Sequence, residues 1–269
     1  MILFLTITLV ITFLLNFNSF HIISGITTSP PTDVSPKTSS AMGTPKLTTI
    51  VALMRPPFPD QQALVNMYKS YLTANDYVIT YSLKNLNYVN MLPGTKVFGV
   101  NSVGQIQNKV ALLKQSGIST IGFDLEHGSS ANDMVDPVSA IQNAAAIAHR
   151  NGLKLMPIPG FGVNTPEFNG KFASSADVYL IQAEAHQQSP TTFKNFVTPI
   201  VDAIRSANPN IKIIVEVSVN NKFGQVANIE QCYSSVANIV DGVNVWYGTT
   251  PDQLEKMNQF YGWVRNTFH

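Results

Sequence analysis

The chain has 269 residues, of which 45% are hydrophobic and 12% charged, with 17 basic against 16 acidic side chains. Soluble domains usually carry about 25% charged residues, and a formal net charge of +1 leaves neither the basic stripe that nucleic acid requires nor a polybasic membrane patch. A single cysteine, Cys232, excludes an intramolecular disulfide; it lies in a helical stretch beside Tyr233 and Val236 and reads as a small buried apolar residue.

Residues 1–26 begin with an almost wholly apolar run, Ile2 to Leu15, broken only by Thr6, Thr8 and Thr12. That run is shorter than the roughly 20 residues needed to span a bilayer and suits the core of a signal peptide. The stretch before it has no Lys or Arg, and no small-x-small cleavage site precedes Gly25, so an uncleaved N-terminal anchor is the alternative. Residues 27–45 are rich in Thr, Ser and Pro and have no apolar period, the composition of a tether. The expected protein is therefore extracellular, secreted or held on the outer face of the membrane, which it meets only through its N-terminal segment.

From Lys46 to His269 short β-type runs alternate with helical stretches, the pattern of a parallel α/β sheet. The expected strands are Thr48–Met54, Tyr77–Leu83, Lys96–Val100, Thr120–Leu125, Lys154–Ile158, Val178–Ala183, Ile211–Val219 and Gly242–Trp246. Asp136-Pro137, Thr165-Pro166, Ser189-Pro190 and Thr250-Pro251 each set a capping side chain ahead of a proline at the first helical position. Between Val138 and His149 an inner face of Ile141, Ala145 and Ala148 is expected, with Asn151-Gly152 ending the helix. Eight such units in one domain predict a single (β/α)8 TIM barrel. An open doubly wound sheet is the rival, but Met54-Arg55-Pro56-Pro57-Phe58 follows the first strand where a Gly-rich phosphate loop would stand.

In such barrels the active site lies at the C-terminal ends of the strands. Strand alternation sets Asp124 and Glu126 on one face of the fourth strand. It sets Gln182, Glu184 and His186 on one face of the sixth, and Glu216, Ser218 and Asn220 on one face of the seventh. Asn244 and Trp246 share a face of the eighth, with Tyr247 just beyond. Unpaired buried charge is costly, so four of the chain's 16 acidic residues aimed at one mouth imply a purpose. Two carboxyl groups are what glycoside hydrolysis needs, one protonated and one ionised, and like charges held close push one of them toward the protonated form. Asp124, Glu126, Glu184 and Glu216 are the candidate catalytic groups. Trp246 is the candidate platform for a sugar ring, and Tyr247, Gln182, His186, Asn220, Asn244 and Arg55 are candidate substrate contacts. The expected partner is an oligosaccharide or polysaccharide, with no cofactor.

Gly122-Phe123-Asp124-Leu125-Glu126 resembles the end of the D-x-D-x-E motif on the fourth strand of family 18 chitinase-like barrels, and Trp246 is similar to that family's floor tryptophan. The resemblance implies that Glu126 is a general acid and that Asp124 assists the substrate's acetamido group. Two positions depart from the family: Gly122 stands in place of the first Asp, and Gln182-x-Glu184 in place of a Tyr-Asp pair. Phe123 to Val264 also resembles secreted bacterial and archaeal barrel proteins of unassigned activity.

The other readings of these residues are specific. Asp124 and Glu126 serve as a structural pair in one, bracing loops or a neighbouring strand, and His127, out of phase with Glu126, reads as a loop histidine. Glu126, Glu184, His186 and Glu216 are acceptable metal-ligand types, but no His-x-His opens the first strand and their spacing forms no tight ligand motif. A Schiff-base aldolase needs a lysine on a strand's inner face, whereas Lys154 and Lys212 sit at strand beginnings. The two departures favour a non-catalytic carbohydrate-binding or cell-surface interaction protein; the retained Asp124-x-Glu126 pair favours catalysis.

Overall fold

The computed structural model describes residues 48–54, 61–126, 129–160, 162–248 and 250–268. The apolar N-terminal segment, the Ser/Thr/Pro tether, Arg55 and His127 lie outside the described residues. No helix among the described residues is long and apolar enough to cross a membrane.

In chain order the elements are β1 (Thr49–Met54), α1 (Gln61–Lys69), β2 (Tyr77–Thr80), α2 (Leu86–Asn90), β3 (Thr95–Val100), α3 (Val103–Gln115), β4 (Thr120–Leu125), α4 (Ala131–Val135), α5 (Pro137–Arg150) and β5 (Lys154–Pro159). They continue with α6 (Pro166–Phe172), β6 (Val178–Gln182), α7 (Pro190–Ala207), β7 (Lys212–Ser218), α8 (Val226–Ser234), β8 (Gly242–Trp246) and α9 (Pro251–Thr267). All eight strands are parallel, in the order β5-β4-β3-β2-β1-β8-β7-β6. β5 and β6, the two ends of that order, meet rather than splay. The Asp177 amide donates to Leu155 O at 3.0 Å, and the Asp177 carboxylate accepts the Leu155 amide at 2.8 Å. The result is a nearly closed (β/α)8 ring, and the open doubly wound alternative fails.

Local chemistry accounts for the boundaries. Asp136, Thr165, Ser189 and Thr250 each accept an amide of the first helical turn ahead of their prolines, and Thr250 completes a reciprocal capping box with Gln253. α5 buries Ile141, Ala145 and Ala148 on one face, and its end is marked by Asn151 and by Gly152 at φ +72°. α7 buries Phe193, Val197, Ile200, Val201 and Ile204 at helical spacing, each worth about 1.5–3 kcal/mol on burial. Four strands are shorter than the β-type runs suggest, β1 only by Thr48 at its start. β2 stops at Thr80 because Ser82 accepts the Lys84 amide at 3.3 Å and opens a 3-10 turn, Leu83–Asn85. β6 stops at Gln182, ahead of a second 3-10 turn, Glu184–His186, and β7 keeps only Lys212–Ser218. Cys232 is fully buried.

The N-terminal end of the barrel is built by a repeated device. Asp76, Asp177 and Asp241 each stand one residue ahead of an even-numbered strand, and each accepts an amide of the strand before it: Ile50 at 2.7 Å, Leu155 at 2.8 Å and Ile213 at 2.8 Å. Each also meets a basic side chain from a helix. Arg265 of α9 reaches Asp76 at 2.5 Å, Arg205 of α7 reaches Asp241 at 2.6 Å, and His149 of α5 reaches Asp177 at 2.8 Å.

Candidate functional site

At the opposite end the strands close around a pocket with about 430 Å³ of atom-free space, mouth included. It is lined by Leu53 of β1, Ile79 of β2, Tyr81 just beyond it, Asp124 and Glu126, Ile158 of β5, Leu180 and Gln182 of β6, Glu184, Glu216, Asn244 and Trp246. The strand register explains the row of polar groups. Gln182 is level with Glu216, and Glu216 with Asn244, so β6, β7 and β8 present them side by side. On β4, Asp124 is level with Ile158, and Glu126 follows two residues on. Gly160, just past β5, leaves the space in which Glu126 stands: a Cβ there would come within 2.4 Å of Glu126 Cβ.

The four carboxylates differ in surroundings. Asp124 is 8% exposed and Glu216 6%; Glu126 and Glu184 are half-buried. Burial and then the charge of Glu126 push the Asp124 carboxyl up to about 7, against the pull of hydrogen bonds from Tyr81 and Gln182. The Gln182 amide donates to Asp124 Oδ1 at 3.4 Å, a long contact. Glu184 is also raised, first by burial and further by the charge of Glu126, against a hydrogen bond from its own backbone amide. Its Oε2 is shut from solvent with no hydrogen-bond partner among the described residues. No Lys, Arg or His stands among the described lining residues, and no group of three or more described His, Cys, Asp or Glu is arranged to hold a metal ion. The site can thus keep the Asp124 carboxyl protonated near neutrality beside three further carboxyl groups.

Backbone and amide contacts hold the C-terminal half of this ring. Gln187, buried after the Glu184–His186 turn, donates to Ser218 O at 2.6 Å and accepts the Ser218 amide at 2.8 Å, so the turn carrying Glu184 is clamped to the end of β7. Asn221 donates to Glu184 O at 3.1 Å. Below Gln182, Asn169 donates to Asn164 at 2.7 Å and Asn164 to Gln182 O at 3.1 Å. Asn244 donates to Val51 O at 2.8 Å, tying β8 to β1 beneath Trp246.

The structure brings Asp124, Glu126, Glu184, Glu216, Gln182, Asn244 and Trp246 to one pocket, while Tyr247, His186 and Asn220 do not line it. Tyr247 is 1% exposed, and its hydroxyl donates to Leu53 O at 2.8 Å. His186 is carried off by its 3-10 turn and stacks on Phe196 with ring centroids 3.7 Å apart. Asn220 lies beyond the end of β7, where its carbonyl accepts from the Gln253 amide at 2.5 Å. Tyr81 is the lining residue that the sequence reading passes over. Its signal was there, because Tyr77, Ile79 and Tyr81 alternate in phase.

Comparison with protein-family models and with curated proteins gives no match. Among solved structures, the chain is similar to a GH128 (subgroup I) endo-β-1,3-glucanase from Amycolatopsis mediterranei in complex with laminaritriose, at 12% identity over 81% of this chain and 99% of that one, TM-score 0.56. It is similar to a family 18 chitinase from Crocus vernus, at 12% identity over 82% and 99%, TM-score 0.52. It is also similar to an aldolase/citrate lyase family protein from Burkholderia cenocepacia, at 10% identity over 82% and 95%, TM-score 0.52. At these identities the likeness is one of fold, a (β/α)8 barrel shared by glycoside hydrolases and aldolases.

Proposed function

We propose that this protein is a glycoside hydrolase working outside the cell, secreted or tethered by its N-terminal segment, on an oligosaccharide or polysaccharide. The observation that carries the reading is Asp124, buried in the pocket beside Glu126 with its carboxyl held near pH 7. A protonated and an ionised carboxyl side by side are what cleavage of a glycosidic bond uses. In this reading Glu126, the more exposed of the two, gives its proton to the glycosidic oxygen as the C–O bond breaks. Asp124 beneath it orients that carboxyl and supplies the proton as the sugar covers it. Water adds its hydroxyl to the anomeric carbon, and its remaining proton passes to Glu184 or Glu216, whichever serves as second carboxylate. Trp246, half-buried at the rim, offers its face to the sugar ring. An aldolase reading has little support, because no lysine stands among the described lining residues and Lys154 and Lys212 open their strands at the far end.

One observation favours a second reading, a non-catalytic carbohydrate-binding barrel. The place of the motif's first Asp is filled: a Cβ at Gly122 would lie 3.1–3.2 Å from Ile79, Ile158 and Val97. The test is a hydrolysis and binding screen of the full chain and of Glu126→Gln on a panel of glycans. Turnover in the wild type that falls about 10²–10⁴-fold in the variant is the expected result. Binding in both without turnover in either overturns the catalytic reading and leaves the binding one.

A further inference from the structure

Tyr81 stands one residue past β2, at the level where the chain leaves the barrel. Its ring lies against Gly99 of β3 so closely that a Cβ at that position would come within 2.3 Å of the ring. Only glycine on the neighbouring strand leaves room for the ring in this place. Gly99 is level with Gly122 of β4, two residues before Asp124 and in phase with it, so the ring seated over Gly99 stands on the Asp124 side of the pocket, which the residue lines with all four carboxylates. We propose that Tyr81 is a positioning residue of this site: its hydroxyl, reaching over β3 from the end of β2 toward β4, fixes the Asp124 carboxyl, and Gly99 is the residue that admits its ring. The proposal rests on the glycosidase reading for its catalytic meaning, but the contact itself can be tested without turnover.

The phenol acts here only as a donor. Burial first, then the charge of Asp124 and the hydrogen bond to it, then the charges of Glu216 and Glu126 hold its proton far above the ordinary tyrosine range. Asp124 is faced by Glu126 from its own strand, by Tyr81 from β2, and by Gln182 and Glu184 from β6 and the turn after it. Burial, Glu126 and Glu184 favour its protonated form, while Tyr81 and Gln182 favour the ionised one. The Gln182 contact is long at 3.4 Å. Without the phenol the ionised carboxylate loses one of the two donors that favour it, and its proton is held to higher pH.

The experiment is a pH titration of the full chain followed by carbon-13 NMR of aspartate carboxyls and tyrosine rings, in wild type and Tyr81→Phe. The Asp124 midpoint should move up by about one pH unit in the variant, the scale of a hydrogen bond to a charged group. Far-UV circular dichroism should stay unchanged. A midpoint that does not move overturns the proposal. Should Tyr81→Phe fail to fold, the wild type decides alone. The Tyr81 ring-carbon shift then either follows the Asp124 titration, as expected, or stays flat through it, which overturns the contact. On an active glycan the alkaline limb of kcat moves with the midpoint, a readout that a purely structural tyrosine would not shift. A wild type without turnover ends the glycosidase reading and leaves the NMR outcome standing.

Discussion

At the N-terminal end of the strands, Asp76, Asp177 and Asp241 each meet a backbone amide and a basic side chain. At the C-terminal end, Asp124 leans on a phenol and an amide, and Glu184 leaves one oxygen without a partner among the described residues. The same residue types are placed at both ends of the same strands under opposite electrostatic rules. Basic side chains and donated amides surround the carboxylates at the bottom; burial and neighbouring negative charge penalise the ionised form at the top. Where carboxylates are only needed to hold strands together, the chain supplies them with partners. Where Asp124 and Glu184 stand buried near the charge of Glu126, the chain accepts a cost, and such sites concentrate where chemistry is done.

The sharpest way to break this comparison is to remove an acid from the bottom. Asp76→Ala strips an acceptor from Ile50, from the amide and hydroxyl of Thr73, and from Arg265, which is itself only 9% exposed. Leaving a buried guanidinium without its carboxylate costs about 3–5 kcal/mol. Urea unfolding should show a loss of that size, against a change within about 1 kcal/mol for Glu126→Gln at the top. Equal losses would mean that both ends serve stability alone.

A second test uses pH. Asp124 carries its proton up to about 7 in the folded chain, against an ordinary value of 3.8. Between those values the folded state binds more protons than the unfolded one, so its contribution to stability falls as pH rises and levels off above about 7. The full span corresponds to on the order of 4 kcal/mol at most. Asp124→Asn should flatten the decline between pH 4 and 7 and leave the variant the more stable protein above pH 7. A decline that survives the substitution belongs to other groups, Glu184 first among them.

How much of this could be read from the chain follows the same division. Strands and cap-proline helices were legible because they are local: alternation within six residues and a capping side chain before proline need no tertiary context. Asp124, Glu126, Gln182, Glu216, Asn244 and Trp246 were legible as well, since each lies within a strand or one residue past its end, where alternation still holds. His186 and Asn220 were misplaced because β6 ends at Gln182 and β7 at Ser218, and phase says nothing once the backbone turns. Tyr81 is in phase with Tyr77 and Ile79, but phase alone does not bring it to the site. What makes it part of the site is the room left at Gly99, 18 positions away on another strand. The pairing of Asp76 with Arg265, 189 residues apart, is likewise a property of ring closure rather than of any segment.

Tyr247 sharpens the comparison from between the two ends, with the smallest expected effect. It follows Trp246, which lines the pocket, yet its side chain is buried and its hydroxyl donates to Leu53 O at 2.8 Å. Tyr68 donates to the same carbonyl at 3.0 Å. Tyr247→Phe therefore removes one of two donors to a single acceptor, and the carbonyl keeps a partner. The cost should fall at or below the ordinary range for a hydrogen bond, about 0.5–1.5 kcal/mol, measured by urea unfolding. Turnover or binding on any glycan should be unchanged, since the hydroxyl does not reach the pocket. A variant that keeps its stability but loses binding would point to Leu53, which does line the pocket. The Tyr247 hydroxyl would then be setting the position of β1 beneath the sugar.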